Sequence, residues 1–321
     1  MSIRSKILNT LKSDENTGFG SNTKLYGRRL FRKDGTPNLK RTGADVLSRL
    51  SWYHTMIHLP RWKFYIVILS VYFLVNILFT VIYVSIGLDQ LGGMVGETKW
   101  EQWLEAFFFS AQTFTTVGYG RVNPHGILMS SVAALEAFLG VLNLAIATGL
   151  FYGRFSRPTA FIRYSEHAII APFKGGQALM FRLVPYKNTN LTDAEVKITV
   201  GLMVDVNGIS ENRFYNLDLQ LSKLNSLNLS WTIVHPIDEK SPLKGLSLQD
   251  MKASNIEVMV LLKAFDETYS NTVVSRTSYI GDELLEGYKF IPMYQRSDNT
   301  DETIMNIDHL NAMEPATLPA P

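Results

Sequence analysis

The chain contains no cysteine, which excludes disulfides, thiolate metal sites and cysteine nucleophiles and fits a reducing compartment. It also lacks a serine elbow, an HExxH pair and a P-loop, so the commonest hydrolase, metalloprotease and nucleotidase signatures are missing. Gly18-Phe19-Gly20 is followed by Thr23 and opens no βαβ unit, so it is not a dinucleotide loop. His54 and His58 have the spacing of a metal pair, yet no third ligand lies nearby and zinc is not expected. No catalytic site and no cofactor emerge from these patterns. No arginine repeat of the voltage-sensing kind is present. The N-terminus is polar, so no cleavable signal peptide is read and the first apolar span is expected to direct insertion. A net charge of +2 over 321 residues is uninformative about partners, and no nucleic-acid partner is expected.

What the sequence does contain is two long apolar runs. Residues 64–86 carry no charge, and at 1.5 Å per residue they can cross a hydrocarbon core about 30 Å thick. Residues 127–152 carry one charge, Glu136, and one amide, Asn143, and are long enough to cross with a tilt. Residues 1–63 hold 13 Lys and Arg against 4 acids, whereas residues 87–126 hold Lys99 and Arg121 against Asp89, Glu97, Glu101 and Glu105. The positive-inside rule therefore places both termini in the cytoplasm.

Between the runs lies Thr116-Val117-Gly118-Tyr119-Gly120. Potassium channels build a selectivity filter from this pentapeptide: four copies meet on an axis, and rings of carbonyl oxygens replace the water shell of K⁺. Glycine tolerates the φ > 0 conformations that let the carbonyls of Thr116, Val117, Gly118 and Tyr119 all face the axis. Residues 103–115, rich in phenylalanine, read as a re-entrant helix whose partly negative C-terminal end favours a cation. Non-helical backbone at membrane depth is tolerated only where it lines a cavity or is buried in protein.

After Pro158 the pattern shifts to short alternating stretches at 168–172, 177–184, 195–206, 213–219, 227–234, 256–265 and 272–279, with one short helix at 248–254. Strands at this spacing predict a β-sandwich. Residues 295–321 are polar and proline-rich and are expected to form a loose tail.

The inner run can be stepped in fours through Leu144, Thr148 and Tyr152, which share a stripe. Four Tyr152 rings at the cytoplasmic mouth would close the path sterically and by dewetting; a tyrosine anchoring the helix at the lipid interface is the alternative. Gly140 and Gly149 serve either as bend points or as sites of close helix packing. Glu136 falls nearly opposite Tyr152 and is expected to bond the back of the pore helix, since a carboxyl group in a membrane needs a partner. In residues 44–59, Val46, Leu50, Tyr53 and Ile57 recur at helical spacing until Pro60, which fits a helix in the membrane interface. Arg61, Lys63, Arg154 and Arg157 form either a basic ring for anionic lipid headgroups or generic positive-inside charge.

Longer stretches match a family. Arg32-Lys33-Asp34-Gly35 with Asn38 and Arg41, Leu59-Pro60-Arg61-Trp62, Arg154-Phe155-Ser156-Arg157-Pro158, residues 230–238 (SWTIVHPID) and Ser275-Arg276-Thr277-Ser278-Tyr279 together resemble the prokaryotic inward-rectifier potassium channels over about residues 28–294. The resemblance implies an N-terminal strand at Arg32, an interfacial slide helix and a cytoplasmic immunoglobulin-like domain. It also implies a second constriction at Lys263-Ala264-Phe265-Asp266, where the residues alone read as a strand end with a buried Phe265. The family's eukaryotic members usually place on the pore helix an acid that braces the filter through an arginine; here Gln112 stands at that position. The position governing voltage-dependent block in strong rectifiers falls at Leu144, which offers polyamines and Mg²⁺ no counter-charge.

The expected architecture is a two-transmembrane-helix potassium channel pore plus an immunoglobulin-like β-sandwich. Its parts are an N-terminal segment (1–43), a slide helix (44–60), a pore domain (61–158; outer helix 64–86, pore helix 103–115, filter 116–120, inner helix 127–152), the β-sandwich (159–294) and the tail (295–321). The expected protein is no enzyme but a homotetramer in the bacterial inner membrane, passing K⁺ as permeant ion and modulated by anionic lipids. A channel with an α/β nucleotide sensor is disfavoured because no helices intervene between the strands, and a non-conducting membrane scaffold remains the contrasting class.

Overall fold

The computed structural model describes residue 17 and residues 29–40, 42–43, 51–206, 209–296 and 302–319. It divides into two compact units, one of Thr42–Arg157 and one of Met1–Arg41 with Pro158–Pro321.

The helical unit opens with α1 (Trp52–His58), capped by the Ser51 side chain accepting from the His54 N–H. The interfacial helix expected over 44–60 is seen only as α1, because 44–50 lie outside the described residues. Leu59 ends α1, and Pro60 then serves as N-cap of α2 (Arg61–Ile86), a position where proline's missing N–H costs nothing. The outer helix thus begins three residues before the apolar run, because the charge that ends an apolar run does not end a helix. Two-residue strands β1 (Leu91–Gly92) and β2 (Asn123–Pro124) pair antiparallel and clasp the segment between them. Within that segment α3 (Lys99–Phe114) starts four residues earlier than expected. Its N-terminus is set by a capping box in which Thr98 accepts from the Glu101 N–H and Glu101 from the Thr98 N–H. The inner helix α4 (Ile127–Phe155) continues past Tyr152 to the Ser156 cap.

Hydrophobic residues cover the outside of these helices. In the most apolar windows of α2 and α4 only 17% and 22% of residues are buried, whereas a core helix of a soluble protein would be mostly buried. Inside, by contrast, lie Asn76, Thr80, Ser110 and Glu136, all fully buried. These polar groups share the interior with apolar side chains such as Phe79, Phe109 and Met129, while the apolar exterior suits an apolar solvent.

The second unit is a sandwich. One sheet holds β3 (Ile162–Tyr164), β4 (Ala168–Phe173), β5 (Gly176–Pro185), β9 (Trp231–Pro236) and β12 (Leu284–Glu286). The other holds β6 (Leu191–Val206), β7 (Ile209–Leu217), β8 (Lys223–Ser226), β10 (Glu257–Asp266) and β11 (Asn271–Ile280). Leu179, Phe181, Val200, Val258 and Tyr279 are among the side chains filling the core between them. The strand expected at 227–234 forms only over its second half, as β9 from Trp231, which pairs with β5; β8 ends at Ser226 and pairs with β6 in the other sheet. Leu227 is buried at the crossing and Asn228-Leu229-Ser230 make the passage. The short helix is α5 (Leu248–Ala253), fixed by a capping box of Ser247 and Asp250.

Two expectations for this unit are overturned. Residues 295–321 are not a loose tail among the described residues: β14 (Tyr294–Arg296) pairs with β15 (Thr303–Met305), and β13 (Tyr288–Phe290) with β16 (Met313–Pro315). Leu310 is buried with Val184 and Met293, and the Gln177 amide donates to the Pro319 carbonyl at 2.9 Å. A polar, proline-bearing sequence suits edge strands, where proline loses no ladder bond, so composition alone misread it. Nor do the described residues around Arg32 form the expected N-terminal strand. Arg32 to Thr36 form a tight turn closed by a Phe31–Pro37 bridge, and the segment docks by side-chain bonds: Glu257 accepts the Leu30 and Phe31 N–H groups at 2.7 and 3.0 Å, and Arg29 forks onto Glu283. Arg41 lies outside the described residues.

Candidate functional site

The loop 116–120 hangs from the C-terminal end of α3. The Val117 and Gly118 N–H groups both donate to the Gln112 carbonyl, at 2.9 and 3.3 Å, and the Thr116 N–H donates to the Thr113 carbonyl at 3.1 Å. With these donors turned back toward the helix, the sign of φ decides where the carbonyls go. Thr116, Gly118 and Gly120 have φ of 62°, 52° and 83°, while Val117 and Tyr119 stay in the ordinary region. An alternation of this kind is what a loop requires if successive carbonyls are to face one side. Two of the three left-handed positions are the glycines the sequence pointed to. The third is a β-branched threonine, a costly placement that marks a site where geometry is held for a purpose.

The flanks of the loop are clamped by residues the motif did not reveal. Arg121 pairs with Glu105 on α3 at 2.8 Å and donates to the Gly93 carbonyl at 3.0 Å. Glu105 also accepts the Val95 and Gly96 N–H groups at 2.9 and 3.2 Å, and the His125 N–H reaches the Gln90 carbonyl at 2.7 Å. A single carboxylate thus joins α3, the segment just before it and the arginine that follows the loop. An acid–arginine brace therefore exists, with its acid seven residues before Gln112. The only advance signal was the pairing of opposite charges at the two ends of the re-entrant segment.

Behind the loop, Gly140 of α4 packs on the end of α3 so closely that a Cβ would run into the Phe114 carbonyl. Of the two roles open to this glycine, close packing is the one its surroundings display; a Cβ on Gly149 meets nothing. Glu136, one turn earlier, accepts hydrogen bonds from Tyr83 and lies against Ser110 of α3, so the expected partner on the back of the pore helix is Ser110. Val117, Tyr119, Leu144, Thr148 and Tyr152 are exposed in the single copy, Tyr152 by 73%.

The four basic candidates separate into two kinds. Arg61 and Lys63 at the start of α2 are exposed. Arg154 is half-buried, lies over the Phe64 ring and donates to the Met56 and Ile57 carbonyls at the end of α1, the position a cation favours at a helix C-terminus. Arg157 is exposed but donates to His58 Nε2 at 2.8 Å. Phe265, in the other unit, is the penultimate residue of β10 and points out of the sandwich with 38% exposure. The buried phenylalanine that the local sequence suggested is therefore not what the strand presents. No cluster of metal-ligating side chains occurs among the described residues.

Comparison with known proteins converges with this geometry. The family described as inward rectifier potassium channel C-terminal domain matches residues 162–320, and the ion channel family matches residues 67–157. The inward rectifier potassium channel Kirbac3.1 of Paramagnetospirillum magnetotacticum is 32% identical over 268 residues, covering 83% of this chain and 89% of that protein. The G protein-activated inward rectifier potassium channel 2 of Pongo abelii is 27% identical, covering 89% of this chain and 73% of its own length. Human inward rectifier potassium channel 18 is 26% identical, covering 88% and 71%. Two apolar helices around a re-entrant TVGYG loop, followed by a matched β-sandwich, leave one assignment: the chain is a membrane-embedded member of the inward rectifier potassium channel family and not an enzyme.

Proposed function

We propose that four copies of this chain surround one axis and conduct K⁺ selectively through the carbonyls of Thr116, Val117, Gly118 and Tyr119, with Gly120 ending the loop. The observation that supports this is the φ alternation at 116, 118 and 120 with the N–H groups of 116–118 tied to α3, a backbone pattern suited to a one-sided row of oxygens that four copies would enclose. The uncovered apolar faces of α2 and α4 support lipid on one side and neighbouring subunits on the other. Both termini and the β-sandwich face the cytoplasm of a bacterial cell, on the distribution of basic residues.

Tyr152 closes the path at the inner end of α4, with Leu144 and Thr148 lining it above, and Phe265 forms a second constriction in the β-sandwich. Leu144 gives spermine and Mg²⁺ no counter-charge, so block is weak. Anionic lipid binds at Arg61 and Lys63, whose side chains are exposed, Lys63 lying 5.3 Å over the Trp62 ring; Arg154 and Arg157 couple that site to α1 through the contacts above.

The test is ⁸⁶Rb⁺ uptake into liposomes holding the purified protein, with K⁺ and Na⁺ as competitors. Selective competition by K⁺ from an assembly of four-subunit mass is expected, and equal competition by Na⁺ would overturn the reading. Neutralising Arg61 and Lys63 together should remove the difference in flux between anionic and neutral liposomes; an unchanged difference would assign them to generic positive-inside charge.

A further inference from the structure

A buried polar circuit joins all three long helices of the helical unit, and its hydrogen atoms can be counted. Asn76 and Tyr83 of α2, Ser110 of α3 and Glu136 of α4 are each fully buried. The Tyr83 hydroxyl donates to Glu136 Oε2. Ser110 Oγ lies within hydrogen-bond distance of Glu136 Oε1 and 3.0 Å from Asn76 Oδ1. It is also 3.3 Å from the Asn76 backbone carbonyl, which the Thr80 hydroxyl already engages at 2.6 Å. The Asn76 Nδ2 group donates to the Tyr72 carbonyl at 2.7 Å, which fixes Oδ1 as the end of the amide facing Ser110.

Serine has one proton, and here it has two acceptors beside it. Were Glu136 a carboxylate, Ser110 could satisfy either Glu136 or Asn76 Oδ1, and the other would be left as a buried acceptor without a donor. Among the described residues no lysine, arginine or histidine forms an ion pair with Glu136, so nothing there offsets the cost of a buried charge. With a proton on Oε1 the circuit closes: Glu136 O–H donates to Ser110, Ser110 O–H to Asn76 Oδ1, Asn76 N–H to Tyr72, and Tyr83 O–H to Glu136 Oε2. Each acceptor oxygen of the circuit then has its donor.

We infer that Glu136 works as a neutral acid and is a positioning residue for the loop 116–120. It fastens α3 to α2 and α4 at Ser110, six residues before Thr116. One turn further along α4, Gly140 abuts the Phe114 carbonyl at the root of the loop. The two contacts grip the pore helix in consecutive turns, so a shift of Ser110 is passed to the backbone from which the loop hangs. The inference rests on the selective-pore reading, because the loop so positioned is that pore.

Two measurements on the full-length protein in liposomes test it. The first is the infrared difference between wild type and Glu136→Gln, in which the carbonyl stretch of a protonated carboxyl group is expected in the wild type and missing from the variant. A difference showing only carboxylate bands would overturn the inference, whatever the flux. The second is ⁸⁶Rb⁺ uptake with K⁺ or Na⁺ competing. Glutamine is uncharged, can donate to Ser110 and can accept from Tyr83, so Glu136→Gln should stay within about threefold of wild type. Glu136→Leu and Ser110→Ala, which leave buried partners unmatched, should lose K⁺ preference or flux by about tenfold or more. Equal damage from Gln and Leu, or failure of the Gln protein to assemble, would overturn it. If wild type itself fails to prefer K⁺, the pore reading fails, while the infrared difference still reports the Glu136 proton.

Discussion

The two units of this protein differ in what they expose and in which polar groups they bury. In the sandwich, Phe181, Leu179, Val200 and Val258 are inside, and stability follows from apolar area removed from water. In the helical unit Leu69, Leu74, Leu78 and Ile146 are outside, while Asn76, Thr80, Ser110 and Glu136 are inside. A membrane removes the hydrophobic driving force between helices and makes unmatched polar groups costly, so packing and hydrogen bonds must hold such a unit together. One chain therefore obeys two solvents, and the same substitution should have different consequences in each half.

The largest effect is expected where backbone conformation, rather than burial, carries the function. Gly118→Ala places a Cβ at φ 52°, where it meets no neighbour within the single copy. Left-handed strain of about 1–2 kcal/mol would recur in each of four subunits, so we expect K⁺ preference in ⁸⁶Rb⁺ uptake to fall about a hundredfold. Thermal unfolding of the sandwich, followed by circular dichroism, should not move. Next is a matched pair of truncations. Leu179→Ala in the sandwich core should cost about 2–5 kcal/mol and lower its unfolding temperature by many degrees. Leu74→Ala, exposed by 66% on α2, should cost under about 1 kcal/mol in the chain itself, because it removes little packing within it. Equal costs would erase the contrast between the units.

A smaller effect is expected at the polar clamp of the loop. Glu105→Gln keeps the shape but removes the charge that pairs Arg121, and should lower K⁺ preference by about tenfold or less, in line with ~1 kcal/mol for a half-exposed pair; an unchanged preference would make the clamp incidental. The smallest concerns pH in the sandwich. Burial holds His235 below the ordinary histidine value, against the opposing pull of its Nδ1–H bond to the Asp218 carbonyl. Its other nitrogen accepts from Ser241 at 2.8 Å. A histidine favoured as the neutral form contributes stability that is present above the unfolded value and lost as pH falls through the folded one. The sandwich should therefore unfold a few degrees lower at about pH 5 than at about pH 7, and His235→Asn should flatten that slope.

How far the sequence could be read differs from residue to residue. The loop's place between the helices and its left-handed glycines were legible because a pentapeptide states its backbone needs. The apolar runs were legible because a bilayer sets a length that periodicity cannot imitate. Glu105 was not, since its partners Val95, Gly96 and Arg121 lie before and after it in the chain and meet only once the loop has folded back. Nor was the left-handed Thr116, because nothing local excuses a β-branched residue there; the bonds to Gln112 and Thr113 impose it. Residues 303–315 looked like a tail because edge strands need neither apolar alternation nor freedom from proline. Arg154 and Arg157 looked alike as charges, and only the carbonyls at the end of α1 and His58 distinguish them from Arg61 and Lys63.

By itself, then, the sequence determined which segments are apolar enough to enter a membrane, where the TVGYG pentapeptide lies between them, and that a β-rich domain follows. Each depends on spacing, length or a missing Cβ, and these belong to the chain before it folds. Tertiary structure alone decided which acid braces the loop, which glycine is spent on contact, and that Glu136 meets Ser110 and Tyr83. Those outcomes depend on which donors and acceptors are brought within about 3 Å of one another, and no pattern along the chain encodes a distance across it.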